Sequence, residues 1–307
     1  MSAPSGSLAS LSEQLADAVA QSASSVVAVH ARPRLPSSGV HWRDGLVVTT
    51  EATVKRVDGI SVTLPDGARA EATLVGRDPG TDLALLRIPA GRLPAARLGD
   101  PGTLRPGHLV LALARSGDDG PRVAFGAVSA TGEAWRSWKG GEIDRRLQSD
   151  VTLYPGFGGG PLVDVDGRVH GVNSGGLSRP FATTITTGTV DRVAGELLER
   201  GYVSRGWLGI AMHPVRFNPE ARERLGLARD GGLVVLSVEP EAPASRAGVL
   251  VGDVVFAIDG QPVDSPEQVV DLLGGSAVGR VLALDLVRGG ARSRAEVTVG
   301  ERPRRAG

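Results

Sequence analysis

The residues able to do chemistry in this chain are few, and the stretch that raises the question is YPGFGGGPLVD, Tyr154 to Asp164. A glycine-rich turn presents backbone N–H groups that can hold a phosphate, an oxyanion or a carbonyl oxygen. A phosphate loop is excluded, because GFGGG runs into Pro161 and not into a lysine or a helix. Nucleophilic hydrolysis needs an activated hydroxyl or thiol with a base in hydrogen-bond reach. The chain has no cysteine, and the turn holds neither serine nor threonine. The five histidines, His30, His41, His108, His170 and His213, are scattered. No His, Asp and Glu group has ligand spacing, so neither a metal nor a cofactor is expected.

Such a turn must be held by other elements, and the sequence patterns predict mostly strands. VVAVHA, GLVVTT, SVTL, EATLVGR and LALLRI are short β-branched or alternating runs punctuated by Pro33, Pro36, Pro65-Asp66-Gly67 and Asp78-Pro79-Gly80. HLVLALA, RVAFGAVSA, PLVDVDGRVHGVNS and FATTITT continue them. Strands at this spacing without long helices between them predict barrels or sandwiches. Leu8, Leu11, Leu15, Ala18 and Val19 predict a leading helix capped by Ser10 or Ser12. Val190 to Gly201 predicts an amphipathic helix closed by Gly201. In SPEQVVDLLGG, Ser265 is the expected N-cap, Pro266 the first helical residue, Gln268 the capping-box partner and Gly274-Gly275 the stop. The tail ERPRRAG, from Glu301 onward, is expected to fray.

The 307 residues suggest two domains, and 41% hydrophobic residues are enough for real cores. Lys+Arg 34 balances Asp+Glu 34, so the chain is not built for nucleic acid or an acidic surface. No run of about 18 apolar residues predicts a membrane span. The N-terminal residues lack a basic region and a long apolar run, and with no cysteine the expectation is a cytoplasmic protein.

Two further stretches give the glycine turn a context. Thr81-Asp82-Leu83-Ala84-Leu85-Leu86 and Pro155-Gly156-Phe157-Gly158-Gly159-Gly160-Pro161-Leu162 resemble the Asp and Ser landmarks of the HtrA (Deg) family. The resemblance runs from about Leu11 to about Val299. It implies a chymotrypsin-like double β-barrel followed by a small α/β PDZ domain. The boundaries expected are an N-terminal helical segment at 1–24, the double barrel at 25–201 and the PDZ domain at 205–301.

The family's triad is His, Asp and Ser in chain order. Here Asp82 stands at the Asp position, Ala52 at the His position and Gly158 at the Ser position, while Phe157 replaces the usual Asn. The resemblance therefore implies a pseudoprotease. Gly156, Phe157 and Gly158 form the oxyanion-type loop, with the N–H groups of Gly156 and Gly158 as its donors. Asp82 is expected to hydrogen-bond a turn. The alternative is an active endopeptidase with a non-standard base and nucleophile. The side chains to weigh are His41, Thr50, Thr53 and Ser149. His41 on an extended strand would lie roughly 30 Å from Ala52, at about 3.3 Å per residue.

Arg205-Gly206-Trp207-Leu208-Gly209-Ile210 is similar to the family's carboxylate-binding loop. Ala242 to Gly248, Gly252-Asp253-Val254-Val255 and Ile258-Asp259-Gly260 follow the pattern of its PDZ core. The implied peptide-binding residues are Trp207, Leu208, Gly209, Ile210, Val269 and Leu273, and the alternative is that the apolar ones are only core. The implied partners are protein C-termini or unfolded polypeptides, joined by strand addition, and homo- or hetero-oligomers with HtrA-like relatives. The absence of an aromatic residue from the first helix speaks against the family's aromatic-anchored trimer. Trp135 and Trp138 are read either as interface anchors or as ordinary exposed aromatics.

Overall fold

The computed structural model describes residues 8–115, 117, 120–177, 182–274 and 277–303. Gly275 and the tail residues 304–307 lie outside the described residues, but Glu301, expected to fray, is held in a short strand paired with Gly206. The chain divides into two compact units, Met1–Val203 and Ser204–Gly307.

The first unit opens with α1 (Leu8–Ala23), whose Leu15 and Val19 pack on the barrel core. Ser10 and Ser12 do not cap it: both lie inside the helix, which is already formed at Leu8, the first described residue. Six strands follow: β1 (Val26–His30), β2 (Ser37–Arg43), β3 (Leu46–Thr50), β4 (Ile60–Thr63), β5 (Arg69–Asp78) and β6 (Leu83–Arg87). They close into a barrel in the order β1-β2-β3-β6-β5-β4. β2, SSGVHWR, reads as polar in sequence but is buried from Ser37 to Trp42. Gly39 admits the valines of its neighbours there, since a Cβ would lie 2.7 Å from Val47 and 2.8 Å from Val29.

Then come β7 (Leu109–Ala114), β8 (Arg122–Gly132), β9 (Trp135–Arg136), β10 (Glu142–Ile143), β11 (Arg146–Ser149), β12 (Pro161–Val163), β13 (Val169–Ser174) and β14 (Ala182–Thr186). β9 and β10 form a small hairpin, and the others close a second barrel in the order β11-β14-β13-β12-β7-β8. PLVDVDGRVHGVNS is therefore two strands joined by a turn at Asp164–Gly167. α2 (Thr187–Arg200) buries Val190, Val193, Ala194 and Leu197, a helical stripe, and ends at Gly201 in the left-handed conformation. Its first turn is held from outside by Asp144, which accepts from the hydroxyls of Thr186 and Thr189.

The second unit contains β15 (Gly206–Trp207), β16 (Ile210–Arg216), α3 (Pro219–Arg224), β17 (Gly231–Val238), α4 (Pro243–Arg246), β18 (Val254–Ile258), β19 (Gln261–Pro262), α5 (Pro266–Leu272), β20 (Val281–Arg288), β21 (Ala291–Thr298) and β22 (Gly300–Glu301). The main sheet runs β16-β17-β18-β20-β21, with β19 on β18, and β15 pairs with β22. The predicted capping box of α5 is present: Ser265 accepts from Gln268 N–H, and the Gln268 side chain reaches back to Ser265 N–H. Before β18 the buried Asp253 accepts from Arg288 Nε at 2.8 Å and Arg288 Nη2 at 2.7 Å. These bonds, against the opposing effect of burial, hold its carboxyl below the ordinary value. A depressed folded-state pKa contributes stability above the unfolded value of about 3.9, lost as pH falls through the folded one. Arg288→Met is thus expected to move the acid-unfolding midpoint of this unit upward, read by circular dichroism against pH.

Candidate functional site

Asp82 enters the site from the turn before β6, with a backbone in the left-handed region, φ 55°. It is buried. Its Oδ1 accepts from Ala52 N–H at 2.8 Å, and its carbonyl accepts from Glu51 N–H at 3.0 Å. Both bonds hold the 3₁₀ turn Glu51–Thr53 that follows β3. Its Oδ2 accepts from Ser174 Oγ at 2.5 Å, at the end of β13 in the second barrel. Burial pushes the Asp82 carboxyl above its ordinary value, against the pull of the Ser174 and Ala52 hydrogen bonds. A raised pKa means that the site's contribution to stability is full at low pH and is lost as pH rises through the folded value. Asp82→Asn removes the charge, keeps an acceptor for Ala52 N–H and lets the amide donate to Ser174. Asn also tolerates the left-handed backbone. The variant is expected to be as stable as the native chain or more so, by about 0.5–2 kcal/mol, in a denaturant titration at neutral pH.

The glycine turn approaches from the other side. Ser38 N–H donates to Gly158 O at 3.1 Å, and Ser38 Oγ donates to Gly156 O at 2.7 Å. Gly159 N–H donates to Asn173 O at 2.9 Å, and Asn173 N–H donates to Gly160 O at 2.8 Å. Gly159, at φ 87°, lies so close to Ser38 O that no other residue fits, and Gly160 is as close to Leu113 O. These contacts remove the looseness that three successive glycines would otherwise give the turn. Phe157 N–H donates to Tyr154 O at 3.0 Å, so it is not one of the turn's free donors. The N–H groups of Gly156 and Gly158 meet no acceptor among the described residues. The Phe157 ring is buried among Leu104, Val110, Ala112, Leu147, Val151 and Leu162.

Gly158 itself is unstrained. Its φ lies outside the left-handed region, and a Cβ would stand 3.4 Å from Thr50 Oγ1 and 3.7 Å from Thr53 Cγ2. The space for a side chain is present, between the turn of the glycines and the turn that carries Ala52.

Most of the side chains weighed as substitutes are engaged elsewhere. Thr53 Oγ1 donates to Thr50 O at 2.8 Å, so Thr50 Oγ1 donates to Thr53 Oγ1 at 3.0 Å, and no base serves either hydroxyl. Ser174, to which sequence spacing did not point, is fully buried and donates to Asp82. His41 is closer than full extension suggests, because β2 and β3 form a hairpin pairing His41 with Val47. Its ring is nevertheless used by Pro94 O at 2.9 Å and Gly45 N–H at 3.2 Å. His170 is bound to Asp164 at 2.8 Å and His30 to Thr63 at 2.8 Å. Ser149 is buried in β11, where its Oγ has no hydrogen-bond partner among the described residues and no base beside it. Trp135 packs half-buried against the barrel core, whereas Trp138 is 76% exposed and its Nε1 faces Gly176 O at 3.4 Å. Ser38, Asn173 and Ser174 complete the site without having been singled out from sequence. They are ordinary polar residues whose importance comes from strand pairing.

In the second unit, β16 is an edge strand: one side pairs with β17 and the other is open along α5. Gly206 N–H donates to Leu273 O at 3.0 Å, which ties the end of α5 to the loop before β16. The N–H groups of Leu208 and Gly209 have no acceptor among the described residues, while their carbonyls accept from Ala244 and Glu239 at 2.9 and 2.8 Å. Gly209 is held at φ 76° under the Ala242 methyl and the Trp207 ring. Leu208 and Val269 are fully in the core, whereas Ile210 and Leu273 are half-buried at its edge.

Residues 37–172 match the trypsin-like peptidase domain, and residues 206–299 match the PDZ domain. A probable periplasmic serine endoprotease DegP-like of Pseudomonas fulva (strain 12-X) is 35% identical over 274 residues, 88% of this chain and 56% of that protein. One of the same description from Halomonas elongata is 36% identical over 279 residues, 89% of this chain and 57% of that protein. The chain thus spans little more than half the length of these curated relatives. Among solved structures, HtrA-type protease AlgW with tripeptide is 32% identical with a TM-score of 0.72, covering 95% of this chain and 99% of that one. The serine endoprotease from Yersinia pestis is 28% identical with a TM-score of 0.74, covering 94% and 98%. The cytoplasmic expectation is overturned by these relatives, which are named periplasmic. Its weak point was the missing cysteine, since a chain without thiols is equally compatible with an oxidising compartment. Among the described residues no helix is long and apolar enough to cross a membrane. Two six-stranded barrels, a PDZ unit and relatives matched along nearly their whole solved length place the chain in the HtrA family of trypsin-like serine proteases with a PDZ domain.

Proposed function

We propose that this chain is a pseudoprotease: it keeps the protease scaffold, cleaves no peptide bonds, and acts by binding protein C-termini through its PDZ unit. One observation carries the first part. At the junction where a triad would stand, position 52 offers a methyl and position 158 no side chain, so neither a base nor a nucleophile stands beside Asp82. Removing serine or base from such a triad costs on the order of 10⁶ in rate. The free N–H groups of Gly156 and Gly158 would still hold a carbonyl oxygen or an anion, which suits binding of an extended chain without turnover.

The binding role rests on the open edge of β16 and the free N–H groups of Leu208 and Gly209 at its start. An extended peptide adds to such an edge, and the loop amides capture its terminal carboxylate. The role would then be that of a scaffold or regulator of unfolded chains or of an active relative.

Two assays test the proposal on the intact chain. With unfolded casein, no cleavage above the blank is expected; cleavage that survives repurification and is lost on Gly158→Val would refute inactivity. With labelled peptides ending in an apolar residue, binding is expected, and C-terminal amidation should weaken it about tenfold or more, the worth of a charge-assisted hydrogen bond.

A further inference from the structure

The parity of β16 follows from its hydrogen bonds. Gly209 O accepts from Glu239 N–H and Phe217 N–H donates to Asp230 O, so odd-numbered residues along this strand face β17. The register shift between Ala211 and Met212 skips Leu236 on β17 and leaves β16 regular. Polar groups alternate sides along a strand. Ile210, Met212 and residue 214 therefore face the open edge. Residue 214 is proline, which has no N–H, and the edge side is where a sheet tolerates it.

A peptide whose carboxylate sits at Leu208–Ile210 runs antiparallel to β16. Ile210 and Met212 each offer it a donor and an acceptor, and at Pro214 the donor is missing. Past Met212, the end of β16, the start of β17 and the loop before α5 form a cleft of about 390 Å³, lined by Pro214, Val215, Arg216, Asp230, Gly231 and Asp264. Asp264 immediately precedes the N-cap of α5. Two of the lining side chains are carboxylates and one is an arginine. The arginines that meet them do so loosely, Arg216 to Asp230 at 3.5 Å and Arg229 to Asp264 at 3.9 Å. Exposed pairs at such distances are weak and easily exchanged for another cation.

We infer that Pro214 ends the backbone ladder after Met212 and hands recognition to the cleft. The favoured ligand is then a short C-terminal peptide with an apolar last residue and a lysine or arginine about four positions before it. This rests on the reading that the groove takes a peptide C-terminus. Two residues of ladder spacing per strand pair put the fifth residue from the end opposite Pro214. There the backbone offers it only an acceptor, and its side chain meets the carboxylates.

The test is fluorescence anisotropy of the intact chain with labelled eight-residue peptides ending in valine, with Lys, Ala or Glu at the fifth residue from the end, in free-acid and amidated forms. Lys over Ala should gain about twofold to fivefold and Glu should lose as much, differences that fade at high salt. Asp264→Asn and Asp230→Asn, both on exposed side chains, should flatten the series while leaving the Ala peptide unchanged. Pro214→Ala should tighten all eight-residue peptides but not four-residue ones. Free-acid peptides that bind better than amidated ones yet show no dependence on the fifth residue would overturn this inference and leave C-terminal capture standing. Absence of any difference between free-acid and amidated peptides would bring down both.

Discussion

An Ala52→His, Gly158→Ser variant is expected to cleave unfolded casein at least about 10²-fold faster than the native chain. Gly158 has a backbone any residue can adopt, and its Cβ direction meets only Thr50 Oγ1 and Thr53 Cγ2 at van der Waals distance. Position 52 sits on a turn that Asp82 already holds through Ala52 N–H. An imidazole there stands beside a carboxylate able to orient it, and the hydroxyl introduced by Gly158→Ser faces the same junction. Full triads are worth on the order of 10⁶ in rate, so recovery of a ten-thousandth part gives the factor stated. The assay is release of acid-soluble fragments, with each single variant as a control. If the double variant folds and is as inert as the native chain, the scaffold has lost more than its two side chains, and the Phe157 loop is the first place to look.

Phe157→Ala is expected to destabilise the first unit by about 3–5 kcal/mol, the usual cost of emptying a buried phenylalanine site. The ring is 2% exposed and surrounded by apolar side chains of the second barrel. At about 2–4 °C per kcal/mol for a unit of this size, the midpoint of thermal unfolding should fall by roughly 10 °C. Phe157→Asn, the residue of the family pattern, is expected to cost as much, because it puts an amide into an apolar pocket. A loss below about 1 kcal/mol for both would mean that the turn is held by Ser38 and Asn173 alone. The glycine turn therefore combines backbone hydrogen bonds with a hydrophobic anchor, which fits a loop kept for its shape.

Much of the fold was legible because it depends on local pattern. The stripe of α2, its stop at Gly201 and the capping box at Ser265 and Gln268 are local devices, and each stands where its residues indicate. The cap assigned to Ser10 or Ser12 failed because serine signals a cap only where the helix begins, and the apolar stripe left that point open by a turn. β2 escaped because burial of SSGVHWR depends on valines of β1 and β3 brought to it by the barrel. The estimate for His41 assumed an extended chain and missed the hairpin. The compartment was misjudged because composition constrains it weakly.

The sequence by itself determined which side chains these positions carry: an alanine at 52, a glycine at 158 and no cysteine anywhere in the chain. Those are properties of side-chain atoms, and no folding can supply an atom the residue lacks. Only the tertiary structure decided how the remaining groups are used. Asp82 is joined to Ser174, ninety-two positions away, and Ser38 to the glycine turn more than a hundred positions on. Which edge of β16 is open, and that Pro214 faces it, follows from strand pairing across the sheet. Hydrogen bonds between distant strands are set by closure of barrels and register of sheets, and one-dimensional spacing carries no record of either.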